Sequence, residues 1–166
     1  MNLSELTARI QWLTDVEAIK QLKHTYCAHC DRNYDPDALA SLFVEDAVWD
    51  GGKMGELRGR PAIRQYFADA SGVVPFAVHI VANPIITVDG DRATGRWYLW
   101  QPMVFQIGAA REAYWLSAIY DDQYERYGDG WLFKHVRVTT RMLVPYEAGF
   151  SEALIPDVYP GAASDG

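Results

Sequence analysis

Hydrophobic residues recur every three to four positions between Thr14 and Tyr34, which is the spacing of a helix with one buried side. Thr14 and Glu17 have the spacing of a capping box, so the pattern predicts that this helix begins at Thr14. Residues 1–13 are then expected to form a lead-in arm. The predicted buried stripe consists of Val16, Ile19, Leu22, Tyr26, Cys27 and Cys30.

Two shorter helices are predicted after the first. Pro36 suits the first position of a helix over Asp35–Phe43, and Pro61 suits the same position of a helix over Gly59–Ser71. The stretch between these helices, Glu45–Gly52, is predicted to be a short strand that enters a glycine turn.

The second half of the chain alternates between hydrophobic and polar residues, which is typical of strands. Pro84 and Pro102 interrupt this alternation, and we expect bulges there that curve the sheet. Helices followed by strands indicate the α+β class. We predict a cone-shaped α+β barrel, in which three N-terminal helices pack on a strongly curved, mostly antiparallel sheet around a pocket. The predicted long strands cover 76–91, 92–107, 111–130 and 131–144.

Composition narrows the possible partners. With 166 residues, the chain has the length of one domain, predicted over 14–144, and a tail over 145–166 that covers the pocket or a neighbouring subunit. The net charge of −7 argues against nucleic acid and against anionic membranes. The N-terminus does not resemble a signal peptide, so we expect a cytoplasmic protein. The high aromatic content suits an apolar ligand cavity.

Several motifs together resemble a known family. They are Tyr26-x4-Asp31, LASLFVEDAVWD, GRPAIRQYF, the His79 of the first long strand, and YDDQYERYGDGWLFKHVRV. The chain resembles the SnoaL-like branch of the NTF2-like (cystatin-like) superfamily. Within that branch it is most similar to scytalone dehydratase, hexachlorocyclohexane dehydrochlorinase and bile-acid 7α-dehydratase.

This resemblance implies a catalytic group. Asp31 would orient His79, which would remove a proton from the substrate, and Tyr26 would hold or protonate the leaving oxygen. Histidine suits this work because its ordinary pKa lies near neutral pH, and a carboxylate beside it fixes its tautomer. Tyr26 and Asp31 lie about 140° apart around an ideal helix, so they can reach one pocket only from its flanks. The residues expected to bind substrate are Arg141, Gln101, Trp49 and Trp100.

The function that follows is a cofactor-independent lyase, dehydratase-like, acting on a small hydrophobic cyclic or polyketide- or steroid-like substrate. One alternative is an isomerase or cyclase that uses the same base on an enolisable ketone. Others are a non-catalytic module that binds a hydrophobic ligand, or a structural protein like a dioxygenase β-subunit. We expect no metal, because Cys27-Ala-His29-Cys30 lies on a single helix. We expect a homo-oligomer, with a trimer preferred and a dimer possible.

Overall fold

The chain begins with two helices and ends with long strands, as its sequence pattern predicts. A computed structural model describes residues 2–150. The helices are α1 (Leu3–Asp31), α2 (Pro36–Ser41) and α3 (Arg60–Val73), and 3-10 turns cover Gly52–Met54 and Tyr146–Ala148. The strands are β1 (Phe43–Asp50), β2 (Glu56–Arg58), β3 (Phe76–Ala77), β4 (Ile80–Asp89), β5 (Arg92–Ile107), β6 (Ala110–Tyr127) and β7 (Gly130–Pro145).

The strands form one curved sheet of seven members with the order β2-β1-β7-β6-β5-β3, and β4 also pairs with β5. The pairing of β1 with β7 is parallel, and the other pairings are antiparallel. The three helices pack on this sheet, which does not close into a barrel. The predicted α+β class, with helices on a mostly antiparallel curved sheet, is therefore confirmed.

Helix α1 begins at Leu3, so the prediction that it begins at Thr14 is wrong. The capping box lies at Asn2 and Glu5, where each side chain accepts a hydrogen bond from the backbone N–H of the other. Residues 2–14 are exposed throughout, so no buried stripe marks this half of the helix in the sequence. The boundary predicted between an arm and the domain thus lies inside one continuous helix.

The buried stripe of α1 includes two charged residues that the periodicity did not predict. Asp15 and Lys23 are buried, and each has a partner on the sheet. The Asp15 carboxylate accepts two hydrogen bonds from Arg126, both at 2.9 Å, and the Lys23 ammonium lies 2.9 Å from Asp122. The other buried residues of the helix are Ile19, Tyr26, Cys27 and Cys30.

The two strand prolines have different effects. The register between β4 and β5 shifts between Ala82 and Ile85, and Asn83 there has a φ of 51°, so the bulge predicted at Pro84 is confirmed. The pairing of β5 with β6 runs through Pro102 without a shift, so the bulge predicted there is absent from this pair. The interruption lies on the other side of Pro102, between β3 and β4.

The last strand continues to Pro145, one residue beyond the predicted end of the domain. The tail predicted over 145–166 begins with a 3-10 turn, and from residue 151 onward it lies outside the described residues. Within residues 2–150, no helix combines the length and the apolar character needed to cross a membrane.

Candidate active site

Asp31, the last residue of α1, is in direct contact with His79, which lies between β3 and β4. The Nδ1 atom of His79 is 2.7 Å from Asp31 Oδ1, and the backbone N–H of His79 donates to the same oxygen at 3.0 Å. One carboxylate oxygen thus fixes both the backbone and the ring of the histidine. A carboxylate at Nδ1 favours the tautomer with its proton on Nδ1, which leaves Nε2 with a free lone pair.

Pro102 in β5 explains why the edge strand is interrupted between β3 and β4. Val78 donates its N–H to the carbonyl oxygen of Pro102 at 3.1 Å, but Pro102 has no N–H to return. The registers of β3 and β4 on β5 agree with each other, so His79 falls opposite Gln101. In an antiparallel ladder the N–H next to a bonded pair points to the open edge. At that edge Asp31 accepts the N–H of His79.

A cavity of about 90 Å³ lies beside this pair, between the helices and the inner face of the sheet. Most of its lining side chains are aromatic or aliphatic. Three larger hollows among the described residues, of about 410, 360 and 340 Å³, are open surface grooves without a histidine. The polar residues that line the inner cavity are His79, Gln101, Tyr26, Tyr34, Tyr66 and Tyr120.

Tyr26 borders the cavity from α1, with 2% of its surface exposed. Its hydroxyl accepts a hydrogen bond from Nε1 of Trp49 at 3.1 Å. Burial raises the pKa of Tyr26 well above its ordinary value, so the phenol keeps its proton. Tyr26 lines the cavity directly, whereas Asp31 reaches it through His79. This arrangement explains how two residues on different sides of the helix border one site.

Gln101 and Trp49 also line the cavity, whereas Trp100 does not. Neighbouring residues in a strand point to opposite faces of the sheet. Since Gln101 faces inward, Trp100 lies on the outer face, where it stacks on Trp115 with ring centroids 5.3 Å apart. Trp100 therefore lies outside this cavity, as the alternation of β5 implies, and its predicted contact with a substrate stays a prediction.

Arg141 is also outside the cavity. The pairing of β7 with β6 passes from Thr140 to Met142, so Arg141 is the extra residue of a bulge. Its side chain is exposed, and its guanidinium carbon lies 5.9 Å from the ring centroid of Tyr98. Arg141 thus lies outside this cavity, and its predicted contact with a substrate stays a prediction.

Three tyrosines of the cavity, Tyr34, Tyr66 and Tyr120, were not predicted as site residues. Tyr120 lies on the inner face of β6, and the ammonium of Lys23 lies 3.2 Å from its ring centroid. The alternation of β6 was a signal for this residue. Tyr34 follows α1, and it has a positive φ of 56° directly after Asn33 with 67°. No pattern in the sequence indicates such a backbone at two consecutive residues that are not glycine.

The two cysteines of α1 are buried. Burial raises the pKa of the Cys27 thiol to about 12 and raises that of Cys30 well above its ordinary value. Both therefore stay protonated, whereas a metal binds the thiolate. In the part of the chain that the structure describes, no group of three or more His, Cys, Asp or Glu side chains could hold a metal ion. The cysteines pack as small apolar side chains.

Comparisons with known proteins concern the domain as a whole. A model of the SnoaL-like domain matches residues 11–137, a range that includes Asp31 and His79. An uncharacterized protein of Mycobacterium tuberculosis (strain H37Rv) is 31% identical to the chain over 132 residues. That match covers 79% of this chain and 84% of the mycobacterial protein.

Solved structures show the same fold. A scytalone dehydratase-like protein from Novosphingobium aromaticivorans has a TM-score of 0.74 at 24% identity, covering 83% of this chain and 91% of its own. A type 2 hexachlorocyclohexane dehydrochlorinase (LinA) has a TM-score of 0.76 at 18% identity, covering 90% of this chain and 98% of its own. At these identities the likeness is one of fold.

Proposed function

The chain belongs to the SnoaL-like family, and on this premise we propose that it is a cofactor-independent, dehydratase-like lyase with His79 as its base. The observation that carries the proposal is the 2.7 Å contact between His79 and Asp31 at the wall of an apolar cavity. The two solved structures of the same fold bear the names of a dehydratase-like protein and a dehydrochlorinase, and both names denote eliminations.

In the proposed reaction, Nε2 of His79 removes a proton from a carbon of the substrate. Asp31 holds the ring in position through Nδ1 and stabilises the imidazolium that forms. The electron pair of the broken C–H bond stays with the substrate and later forms the C=C bond to the neighbouring carbon. Because the side chain of His79 is only 6% exposed, bulk water competes little with the substrate for this base.

The second half of the reaction expels the leaving group. The C–O bond to the neighbouring carbon breaks, a C=C bond forms, and the departing hydroxide takes up one proton. We assign this proton to the imidazolium of His79, and Tyr26, whose raised pKa keeps its own proton in place, holds the leaving oxygen by a hydrogen bond. The net change is the loss of one water molecule, with His79 neutral again. No carboxylic acid lies among the described residues that line the cavity, and burial raises the pKa of the Cys30 thiol as it does that of Tyr26, so we leave this step to His79.

The cavity indicates the class of substrate. Its volume of about 90 Å³ is below the ~300–1,000 Å³ typical of ligand pockets. A compound with a single ring therefore suits the site better than a polyketide or a steroid. Gln101 stands opposite His79 and offers an amide that can bind a polar group of the substrate, while Trp49 provides an apolar wall.

The test is a panel of cyclic β-hydroxy ketones, assayed by absorbance of the conjugated product and by proton exchange in deuterated water. Wild type should eliminate water from at least one of them. His79→Ala should lose about 100-fold or more in rate, which is the usual contribution of a general base. Asp31→Asn should fold normally and lose rate with little change in KM, because it keeps the shape of the carboxylate but not its charge.

His29→Ala provides the control, since His29 belongs to the same helix but lies outside the cavity. Its rate should match wild type. Elimination at an unchanged rate in His79→Ala would rule out the mechanism. Proton exchange without loss of water, abolished in His79→Ala, would instead favour the isomerase alternative, which uses the same base.

A further inference from the structure

The turn after α1 has an unusual backbone. Asn33 and Tyr34 are consecutive residues with φ values of 67° and 56°. This left-handed region suits glycine, and residues with a side chain occupy it at a cost in free energy that the surrounding structure must offset. The N–H of Tyr34 bonds to the carbonyl oxygen of Cys30 at 3.2 Å, which closes the end of the helix. As a result the side chain of Tyr34 enters the cavity instead of the solvent.

Two rings hold the side chain of Tyr34 beside the proposed base. It stacks on Phe67 at a centroid distance of 6.3 Å, with the ring planes 11° apart. It meets the imidazole of His79 edge to face, with centroids also 6.3 Å apart and planes at 81°. Tyr34 and His79 therefore border the same part of the cavity, close enough for one small molecule to contact both.

The hydroxyl of Tyr34 makes no hydrogen bond to any described residue, although the residue is only 8% exposed. Its oxygen keeps accessible surface, and the residue lines the cavity beside His79. The hydroxyl of Tyr26, by contrast, is bonded to Trp49. A phenol in an apolar site without a protein partner is costly unless water or a ligand meets it. Burial also raises the pKa of Tyr34, so the hydroxyl keeps a proton to donate.

We propose that the hydroxyl of Tyr34 donates a hydrogen bond to the oxyanion that develops when His79 removes a proton next to a carbonyl group. The inference rests on the proposed function and narrows its substrate class to compounds with a carbonyl oxygen beside the acidic C–H. The proton stays on the phenol throughout, and the negative charge rests on the carbonyl oxygen until the C–O bond breaks. A preorganised donor of this kind stabilises the charge without rearrangement.

The test uses binding, which needs no turnover. The probe is 4-nitrophenolate, whose oxygen carries charge as an enolate oxygen does, and the matched neutral probe is 4-nitrotoluene, with a methyl group in that place. Both should quench the fluorescence of Trp49 at the cavity wall. Tyr34→Phe should weaken 4-nitrophenolate binding about 10- to 100-fold, the range for a hydrogen bond to a charged group. Its affinity for 4-nitrotoluene should change less than about twofold, since the ring remains.

Tyr98→Phe is the control variant, because Tyr98 is exposed on the outer face of β5 and the change also removes one phenol hydroxyl. Its affinity for both probes should equal that of wild type. Equal affinity of wild type and Tyr34→Phe for 4-nitrophenolate would overturn the proposal. A wild type that prefers 4-nitrotoluene would do the same without any variant, so the test does not depend on the folding of Tyr34→Phe.

This outcome can be separated from that of the proposed function. If Tyr34→Phe weakens the anionic probe but no hydroxy ketone reacts, the donor is supported and the lyase is not. If elimination depends on His79 while Tyr34→Phe leaves the affinity for 4-nitrophenolate unchanged, the lyase is supported and the role of Tyr34 as a donor is rejected.

Discussion

Removing the carboxylate of Asp122 should destabilise the protein strongly, because it leaves a charged lysine in the core. Lys23 and Asp122 have fully buried side chains, and Nζ lies 2.9 Å from Oδ2. The hydroxyl of Tyr124 donates to the same oxygen at 2.9 Å. Apart from the ion pair, Lys23 Nζ and Asp122 Oδ1 have no hydrogen-bond partner among the described residues. The ammonium therefore has Asp122 as its counter-charge, together with the ring face of Tyr120.

The expected loss in free energy of unfolding depends on which groups each substitution leaves in the core. Asp122→Asn leaves Lys23 buried without a counter-charge, which costs about 3–5 kcal/mol. The double variant Lys23→Met with Asp122→Leu removes both charges. It loses chiefly the bond from Tyr124, whose hydroxyl still accepts from Trp97, so the loss should be about 1 kcal/mol. The double variant should thus be more stable than Asp122→Asn, although it carries two changes.

The assay is equilibrium unfolding in urea, with the slope checked for two-state behaviour. For a domain of this size, a loss of about 3–5 kcal/mol lowers the melting temperature by roughly 10 °C. Asp121→Asn is the matched control, because Asp121 directly precedes Asp122 in β6, points outward and pairs with Arg96 at the surface. Its effect should be small. A double variant less stable than Asp122→Asn would refute the reasoning.

The single variant Lys23→Met adds a second test, in which the free energy of unfolding is measured as a function of pH. Burial raises the pKa of Asp122, and the Lys23 ammonium opposes this rise. Without Lys23, the folded state should bind the Asp122 proton more tightly than the unfolded state, where the pKa is about 3.9. The contribution of this group to stability is then fully present below that pKa and is lost as pH rises through the higher folded pKa. Wild type should show a weaker loss over the same range.

Two further predictions concern acid stability and assembly. The Arg126 guanidinium, with Trp131 also donating, holds the pKa of Asp15 below its ordinary value, so this stabilisation is present above about pH 4 and lost as pH falls through the depressed pKa. Asp15→Asn should lose about 1–3 kcal/mol near pH 7 but little at pH 2, measured by urea unfolding at both values; an equal loss at both would contradict this. For assembly, we propose the homotrimer, with the dimer second. Light scattering should give three times the 18.8 kDa chain mass, and a monomer would contradict the proposal.

Local periodicity predicted the elements of this fold but not all of its buried polar contacts. The three- and four-residue spacing of α1 correctly indicated Ile19, Tyr26 and Cys30 as buried. It could not indicate Lys23, because the counter-charge lies on β6, about a hundred residues away along the chain. It also missed the first half of α1, since a helix without a buried face carries no periodic signal.

For the proposed site, too, the sequence predicted some features and missed others. Spacing alone did not bring Asp31 to His79, and the family resemblance supplied that pair, which the structure places in contact. Pro102 was a usable signal, but its effect is on the neighbouring edge strand and not on β5 itself. Trp100 and Arg141 lie outside the cavity, on the outward positions of their strands. Alternation along β5 and along the part of β7 directly before Arg141 indicates these positions.

The buried ion pair and the proposed active site are linked through α1. Lys23 lies eight residues before Asp31, about 12 Å along the helix at 1.5 Å per residue. A slide or rotation of α1 by one residue would separate Lys23 from Asp122, and it would also draw the Asp31 carboxylate away from both nitrogens of His79 that it now binds. An apolar pair in place of Lys23 and Asp122 would tolerate such a shift, because dispersion contacts are not directional. We therefore infer that the ion pair fixes the register of α1 on the sheet, and with it the orientation of the proposed base.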